Sequence, residues 1–200
     1  MERLDRLLAL IPELYAQGLL DASGGNVAVR TSQGVHVSPA QAGELLRWKV
    51  RAEDFVLFPG DSDASMARAG RRPSRENRLH RAVLNLRRDW NFSYHGHSWG
   101  VLGFALPGRA LPVSAHFAHL LRHGKALEIP VVPPIPSGLP QLAEAVVEAI
   151  SSTFAGCTHG AVLLGGHGLL VAGAEVESTL ALVTALEGVA RAQLWQLASR

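Results

Sequence analysis

Cysteine is almost absent from this sequence, which has only Cys157 among its 200 residues. A disulfide framework within the chain is therefore excluded, and a reducing compartment is expected. Cys157 lies in the turn-like segment Ala-Gly-Cys-Thr-His and has no obvious partner. We interpret it as a small residue without a catalytic role.

Long apolar runs and clusters of positive charge are lacking as well. No run approaches the roughly 18 apolar residues that a membrane-spanning helix needs, and the first six residues contain no apolar signal core. The formal net charge is +2, and the pairs Arg71-Arg72 and Arg87-Arg88 are too small to indicate a nucleic-acid surface. We expect a cytoplasmic protein that binds neither membranes nor nucleic acid, whereas an anionic small substrate is compatible with this charge.

Apolar periodicity predicts helices and strands that alternate through the chain. Helical spacing covers residues 2–18, 73–86, 99–106, 139–154 and 175–197. Alternating or short apolar runs predict a hairpin over 27–37 and strands over 55–58, 91–97, 129–132, 161–164 and 169–171. The length fits one domain over residues 1–200, with the proline-rich stretch 130–140 as a loop within it. The predicted fold class is α/β, with a central, mainly antiparallel sheet between helical layers.

Three histidines stand in patterns that favour metal binding. His95 and His97 are two residues apart on a predicted strand, so their imidazoles point to the same face, and Gly96 leaves room on the other face. An isolated pair of this kind is more often a surface or core feature. His167 stands between glycines at the join of two apolar strands, where the backbone can bend sharply. Three imidazoles leave a coordination position of zinc open, as in catalytic sites.

A carboxylate is expected close to such an ion, and Glu76 is the candidate. It lies in Pro73-Ser74-Arg75-Glu76 at a predicted helix start, where an acid is favoured electrostatically. The alternative is a helix-start residue without chemistry, with Ser74 as the N-cap. His80 is one helical turn further on and within hydrogen-bonding reach of Glu76, and we interpret it as structural.

These motifs together resemble the class II aldolase and adducin head family. The resemblance spans almost the whole chain and is carried by four segments, listed in chain order: Ser23-Gly24-Gly25-Asn26-Val27, Pro73-Ser74-Arg75-Glu76 with His80, His95-Gly96-His97, and Leu163-Leu164-Gly165-Gly166-His167-Gly168. It implies a three-layer α/β/α domain that assembles as a homotetramer with active sites at subunit interfaces. It also implies Zn²⁺, or another divalent transition metal, on His95, His97 and His167, and Glu76 as the acid/base residue.

The resemblance further implies a substrate and a reaction. Gly25, Asn26, Ser38 and Ser74 fall where the family holds a substrate phosphate, and Arg75 is added here as a candidate. The implied reaction is aldol cleavage of a small ketose or sugar-derived, anionic or phosphorylated substrate, in which the metal acts as a Lewis acid on a developing enediolate and Glu76 moves a proton. An epimerase, dehydratase or decarboxylase on the same site remains open, as do a non-catalytic adducin-like binding domain and a purely structural zinc site.

The sequence departs from the family's pattern at the phosphate pocket. The usual Thr-Pro-Ser/Thr-Gly turn is replaced by Ser38-Pro39-Ala40-Gln41, and the second serine before the glutamate is replaced by Arg75. A guanidinium can hold a phosphate or a carboxylate through two hydrogen bonds, or it can point to solvent. We therefore hypothesise a non-standard anionic substrate, such as a carboxylate.

The proton donor is not identified by the sequence. Tyrosine often fills this role in the family, but Tyr94 is adjacent to His95 on the predicted strand and should face away from the metal, and Tyr15 lies in the first helix. His116 or His119 could serve from a neighbouring subunit, although surface histidines are the simpler interpretation.

Overall fold

The computed structural model describes residues 2–60, 64–67, 70–119 and 127–199. Its helices are α1 to α7, listed with their bounds: Glu2–Ala16, Ala42–Leu46, Asn77–Leu86, Trp99–Ala105, Ala115–Ala118, Pro140–Thr153 and Val176–Ala198. A 3₁₀ turn covers Ala52–Asp54. The strands are β1 to β10, listed in the same way: Asn26–Thr31, Gly34–Val37, Val56–Phe58, Met66–Ala67, Phe92–Gly96, Leu111–Val113, Leu127–Ile129, Val131–Val132, His159–Leu164 and Gly168–Gly173.

A central sheet contains eight of these strands in the order β4-β3-β2-β1-β5-β10-β9-β8. Neighbouring strands pair antiparallel except β8 and β9, which are parallel. Strands β6 and β7 form a separate two-stranded sheet. The predicted α/β class with a mainly antiparallel sheet is confirmed, and β5 lies near its centre.

Helices cover both faces of this sheet because side chains alternate along its strands. On β1, for example, Val27 and Val29 belong to the same apolar core as residues of α1, α4 and α7, whereas Ala28 belongs to a second core with residues of α3 and α6. The apolar stripe of α1 supplies the buried residues Leu4, Leu7, Ile11 and Leu14. None of the described helices is both long and apolar enough to span a bilayer.

The structure corrects one predicted strand and adds elements that periodicity did not indicate. Residues 129–132 are not one strand: β7 ends at Ile129 and pairs with β6, whereas β8 begins at Val131 and pairs with β9. Pro130 separates them, because proline has no N–H to donate and interrupts a ladder. The helix predicted from residue 73 begins at Asn77. Helices α2 and α5 and strands β4 and β6 were not predicted, and all are short.

Candidate active site

The first two candidate ligands lie at one end of β5. His95 is paired with Asn26 on β1 and with Leu170 on β10, so its backbone is held from both sides. His97 follows the last residue of the strand, and the Nε2 atoms of His95 and His97 are 2.9 Å apart. Tyr94 points to the opposite face, as predicted, where its hydroxyl donates a hydrogen bond to the Leu19 carbonyl.

The third candidate ligand comes from the turn between β9 and β10. Gly166 has φ of +70°, a conformation that glycine adopts readily, and the N–H of His167 closes the turn on the Leu164 carbonyl at 2.9 Å. The His167 ring centroid is 4.6 Å from that of His95 and 5.0 Å from that of His97. One candidate ligand atom from each of the three rings lies within 4.8 Å of the other two. This donor set fits a single zinc-type ion.

The surroundings of His95 favour its ligating form. Its Nδ1 is 3.0 Å from the Leu169 carbonyl, which accepts a hydrogen bond from the protonated Nδ1 and leaves Nε2 with its lone pair. The side chain is fully buried, and burial lowers the pKa of His95 to about 3. The imidazole is therefore neutral at pH 7, which metal binding requires.

Glu76 brings a buried carboxylate to the same place. Its Oε2 is 3.4 Å from His95 Nε2, and its Oε1 is 3.5 Å from His167 Nδ1. Asn26 Nδ2 donates to Oε2 at 2.7 Å and Ser137 Oγ donates to Oε1 at 3.1 Å. Burial alone would raise the pKa of Glu76, but His95 and the Asn26 hydrogen bond hold this pKa below its ordinary value. Glu76 is thus an oriented, ionised carboxylate.

The segment before α3 positions Glu76 differently from the expected helix cap. Helix α3 begins after Glu76, and the Ser74 hydroxyl accepts the Glu76 N–H at 3.2 Å, so Ser74 caps the preceding turn. The backbone N–H of His80 donates to the Glu76 carbonyl at 3.1 Å, but its ring does not contact the Glu76 carboxylate as expected. Its Nε2 contacts Asn26 Oδ1 and its Nδ1 contacts Ser93 Oγ, so it supports Glu76 through Asn26.

Asp21 is a further carboxylate at the site, on the loop between α1 and β1. Its Oδ2 is 3.4 Å from His97 Nδ1. Its Oδ1 accepts hydrogen bonds from the N–H and hydroxyl of Ser23 and from the N–H of Gly24. Burial opposes ionisation, but these hydrogen bonds hold the pKa of Asp21 below its ordinary value. No sequence motif had indicated this residue.

A cleft opens above the histidines and contains most of the predicted substrate-binding residues. Gly25, Asn26, Ser74 and Arg75 line it, together with Glu76, His97 and His167. The side chain of Asn26 is already engaged by Glu76 and His80, so it orients Glu76. Arg75 is exposed.

Ser38 is placed differently from the expectation. Its side chain is fully buried, and its hydroxyl accepts the Val27 N–H at 3.1 Å. It joins β1 to the loop after β2, and it is not among the residues that line the cleft. The neighbouring Gln41 does line the cleft, in a left-handed conformation with φ of 59°, and its amide donates to Glu44 at 2.9 Å.

Comparison with known proteins identifies the family of this chain. The sequence profile of the Class II Aldolase and Adducin N-terminal domain family matches residues 5–194. The chain belongs to this family. Class II aldolases are lyases, and the family and enzyme class expected from the sequence are confirmed.

Curated relatives and solved structures agree with this membership. A 5-methylthioribulose-1-phosphate/5-deoxyribulose-1-phosphate aldolase from Escherichia coli O45:K1 is 25% identical over 193 residues, covering 95% of this chain and 84% of its own. An L-fuculose phosphate aldolase from Escherichia coli O6:H1 is 28% identical over 186 residues, covering 93% and 80%. A solved L-fuculose 1-phosphate aldolase has a TM-score of 0.81 at 22% identity, covering 99% of this chain and 86% of that chain.

Sequence reasoning missed several residues that support the candidate site. Ser137 reaches Glu76 from the proline-rich loop, and Asp21 reaches His97 from the loop before β1. Glu187 on α7 accepts hydrogen bonds from Ser98 and from backbone N–H groups at the start of α4, directly after His97. Each contact is long-range, so local spacing carries no signal for it. Of the possible proton donors, His119 is exposed, and the side chain of His116 lies outside the described residues.

Proposed function

We propose that this protein is a metal-dependent aldehyde-lyase that cleaves a carbon–carbon bond in a small sugar-derived anion. One observation carries the proposal. Three imidazoles from β5 and the β9–β10 turn converge, and the Glu76 carboxylate lies 3.4 and 3.5 Å from His95 and His167.

The metal ligands in this proposal are His95, His97 and His167. A bound divalent ion, with zinc as the expected one, would act as a Lewis acid toward carbonyl and hydroxyl oxygens of the substrate. The neutral His95 imidazole fits this role because metal binding requires an unprotonated ring nitrogen. The homotetrameric assembly and the cytoplasmic location expected from the sequence remain predictions.

Glu76 is the proposed acid/base residue. It is ionised, it lines the cleft, and Asn26 and Ser137 hold its two oxygens in place. A carboxylate held in this way can take a proton from a substrate hydroxyl as the adjacent carbon–carbon bond breaks, or move a proton at the reacting carbon. Orientation by two donors reduces the reorganisation needed during proton transfer.

The anionic end of the substrate is assigned to the Ser74–Arg75 side of the cleft. Arg75 is the arginine among the residues that line it, and a guanidinium binds carboxylates and phosphates in bidentate fashion. The relatives named above are sugar-phosphate aldolases, which supports a phosphorylated substrate. The family's phosphate turn is altered at Ala40-Gln41, however, and Glu44 adds a negative charge to the same cleft. We therefore favour a carboxylate, whose single charge is repelled less by Glu44 than a phosphate dianion.

An aldehyde-release screen tests this function. Pairs of ketoses and sugar acids, each with and without phosphate, are incubated with the protein and Zn²⁺, Mn²⁺, Fe²⁺ or Co²⁺. We expect stoichiometric metal and aldehyde release, with Glu76→Gln retaining the metal but losing at least about 100-fold in kcat. Arg75→Gln should raise KM for the phosphorylated ketose or the sugar acid. It should leave KM for the matching uncharged ketose unchanged.

Other results would redirect the assignment. Stereochemical inversion, water loss or CO₂ release without aldehyde would indicate an epimerase, dehydratase or decarboxylase on the same residues. A protein that binds no metal and turns over no substrate would favour a non-catalytic binding domain. Tight binding that depends on phosphate would refute the carboxylate assignment and leave the lyase assignment intact.

A further inference from the structure

Asp21 faces Nδ1 of the His97 ring, whereas Nε2 of the same ring faces His95. We propose that Asp21 is a positioning residue of the metal site: its carboxylate accepts a hydrogen bond from the Nδ1–H of His97 and so presents Nε2 to the ion. This proposal rests on the proposed function, because it assumes that the three histidines bind a metal.

The contacts of the His97 ring define which nitrogen faces which partner. Nε2 faces His95 Nε2 at 2.9 Å, and Nδ1 faces Asp21 Oδ2 at 3.4 Å. A neutral imidazole carries its proton on one nitrogen only, so a proton on Nδ1 leaves the Nε2 lone pair free for a metal. A carboxylate beside Nδ1 favours that tautomer and makes Nε2 a better ligand.

Asp21 is itself held in place by its loop. Its Oδ1 accepts from Ser23 N at 2.6 Å, from Ser23 Oγ at 2.7 Å and from Gly24 N at 2.7 Å, which leaves Oδ2 to His97. The Trp48 indole donates to the Asp21 carbonyl at 2.9 Å, and this indole is buried. The carboxylate is therefore fixed before any ion binds, which reduces the entropic cost of ordering His97.

The other two candidate ligands have different supports. His95 is oriented by the neutral Leu169 carbonyl, and the Nδ1 of His167 lies 3.5 Å from Glu76, the proposed acid/base residue. Asp21 is thus a charged group that faces one ligand and has no role in the proposed chemistry. Because Ser23 and Gly24 also line the cleft, the same carboxylate connects His97 to the loop that contains these two residues.

Asp21→Asn isolates this role. An asparagine can keep the three hydrogen bonds through its Oδ1, but its amide NH₂ cannot accept a hydrogen bond from the Nδ1–H of His97. Glu44→Gln is the matched control, since it removes one negative charge from the same cleft without touching a histidine. Affinity for Zn²⁺ and Co²⁺ is measured on the full chain by competition with a chromophoric chelator, and unfolding is measured in EDTA.

We expect Asp21→Asn to weaken metal binding about 10- to 100-fold, whereas Glu44→Gln changes it less than about twofold. The visible spectrum of the Co²⁺ form should shift in Asp21→Asn only. Unfolding in EDTA should show that this variant still folds cooperatively, although its stability falls because a charged acceptor of three hydrogen bonds is lost. In a His97→Ala background, Asp21→Asn should have no further effect on affinity, because the pair acts as one unit.

A second measurement does not depend on any Asp21 variant. Nitrogen chemical shifts of His97 in the wild-type protein report the tautomer, and we expect the proton on Nδ1. A proton on Nε2, equal losses of affinity in Asp21→Asn and Glu44→Gln, or an unchanged affinity in Asp21→Asn would overturn the proposal. Absence of metal binding by the wild type and Glu44→Gln would instead overturn the proposed function itself.

Discussion

Substituting Gly96 by alanine should reveal how tightly the ligand-bearing strand is packed. A Cβ at this position would lie 2.5 Å from the Leu19 carbonyl oxygen and from Tyr94 Cζ, and closer still to the Tyr94 hydroxyl. Tyr94 is fully buried, so its ring cannot swing into solvent. The space that the sequence suggested behind the two histidines is thus occupied by the tyrosine.

The expected cost follows from two contributions. Overpacking a buried site costs about 1–3 kcal/mol, and displacing the tyrosine loses a buried hydrogen bond worth about 1 kcal/mol. Gly96→Ala should therefore lower the free energy of unfolding by about 2–4 kcal/mol. Urea denaturation in EDTA at matched protein concentration measures it without a contribution from metal binding.

A double-mutant cycle identifies the cause. Tyr94→Val empties the space next to Gly96, so the cost of Gly96→Ala in that background should fall by at least half, although contact with the Leu19 backbone remains. If Gly96→Ala lowers the free energy of unfolding equally in both backgrounds, Tyr94 does not obstruct the added methyl group, which would refute this explanation of the packing.

Two further predictions concern α7. Glu187→Gln should destabilise the protein by about 1–3 kcal/mol at pH 7, because a charged acceptor of hydrogen bonds from Ser98 and the α4 N–H groups is lost. Burial opposes ionisation, yet these hydrogen bonds and Arg191 lower the pKa of Glu187 below its ordinary value of 4.5. The stability difference between wild type and Glu187→Gln should therefore persist above pH 4.5 and shrink as the pH falls below it. A stability difference that does not shrink in acid would contradict this explanation. Gly188→Ala should stabilise the protein by about 0.5–1 kcal/mol in thermal unfolding, because position 188 is helical and exposed. A Cβ at this position would have no neighbour within 4 Å among the described residues outside its own helix. A loss of stability would contradict this prediction.

The parts of the fold that could be predicted are those determined by local pattern. Helix α1 and the hairpin of β1 and β2 follow from apolar spacing alone. The error at residues 129–132 has a physical source, because two short apolar strands on either side of Pro130 resemble one strand until their partners are known. The assignment of all 200 residues to a single domain remains a prediction.

The candidate site divides in the same way. His95 and His97 could be paired from the sequence because the two-residue period of a strand is local. We expected His167 and Glu76 to lie beside these two histidines only because four motifs occur together in this sequence. No single motif predicts this arrangement. Ser38 was misplaced because a serine hydroxyl satisfies a backbone N–H as readily as a substrate, and only its burial distinguishes the two.

The structure also indicates where substrate choice can vary without loss of the metal site. Strand β5 is hydrogen-bonded to β1 and β10, and Tyr94 anchors its far face. The backbone of this strand therefore determines the spacing of the candidate ligands His95 and His97. The cleft wall, by contrast, includes Gln41 and Arg75, which lie outside the sheet and have exposed side chains. Because such positions tolerate substitution at little cost in stability, changes at the proposed anion pocket are compatible with an intact histidine cluster and with a different substrate.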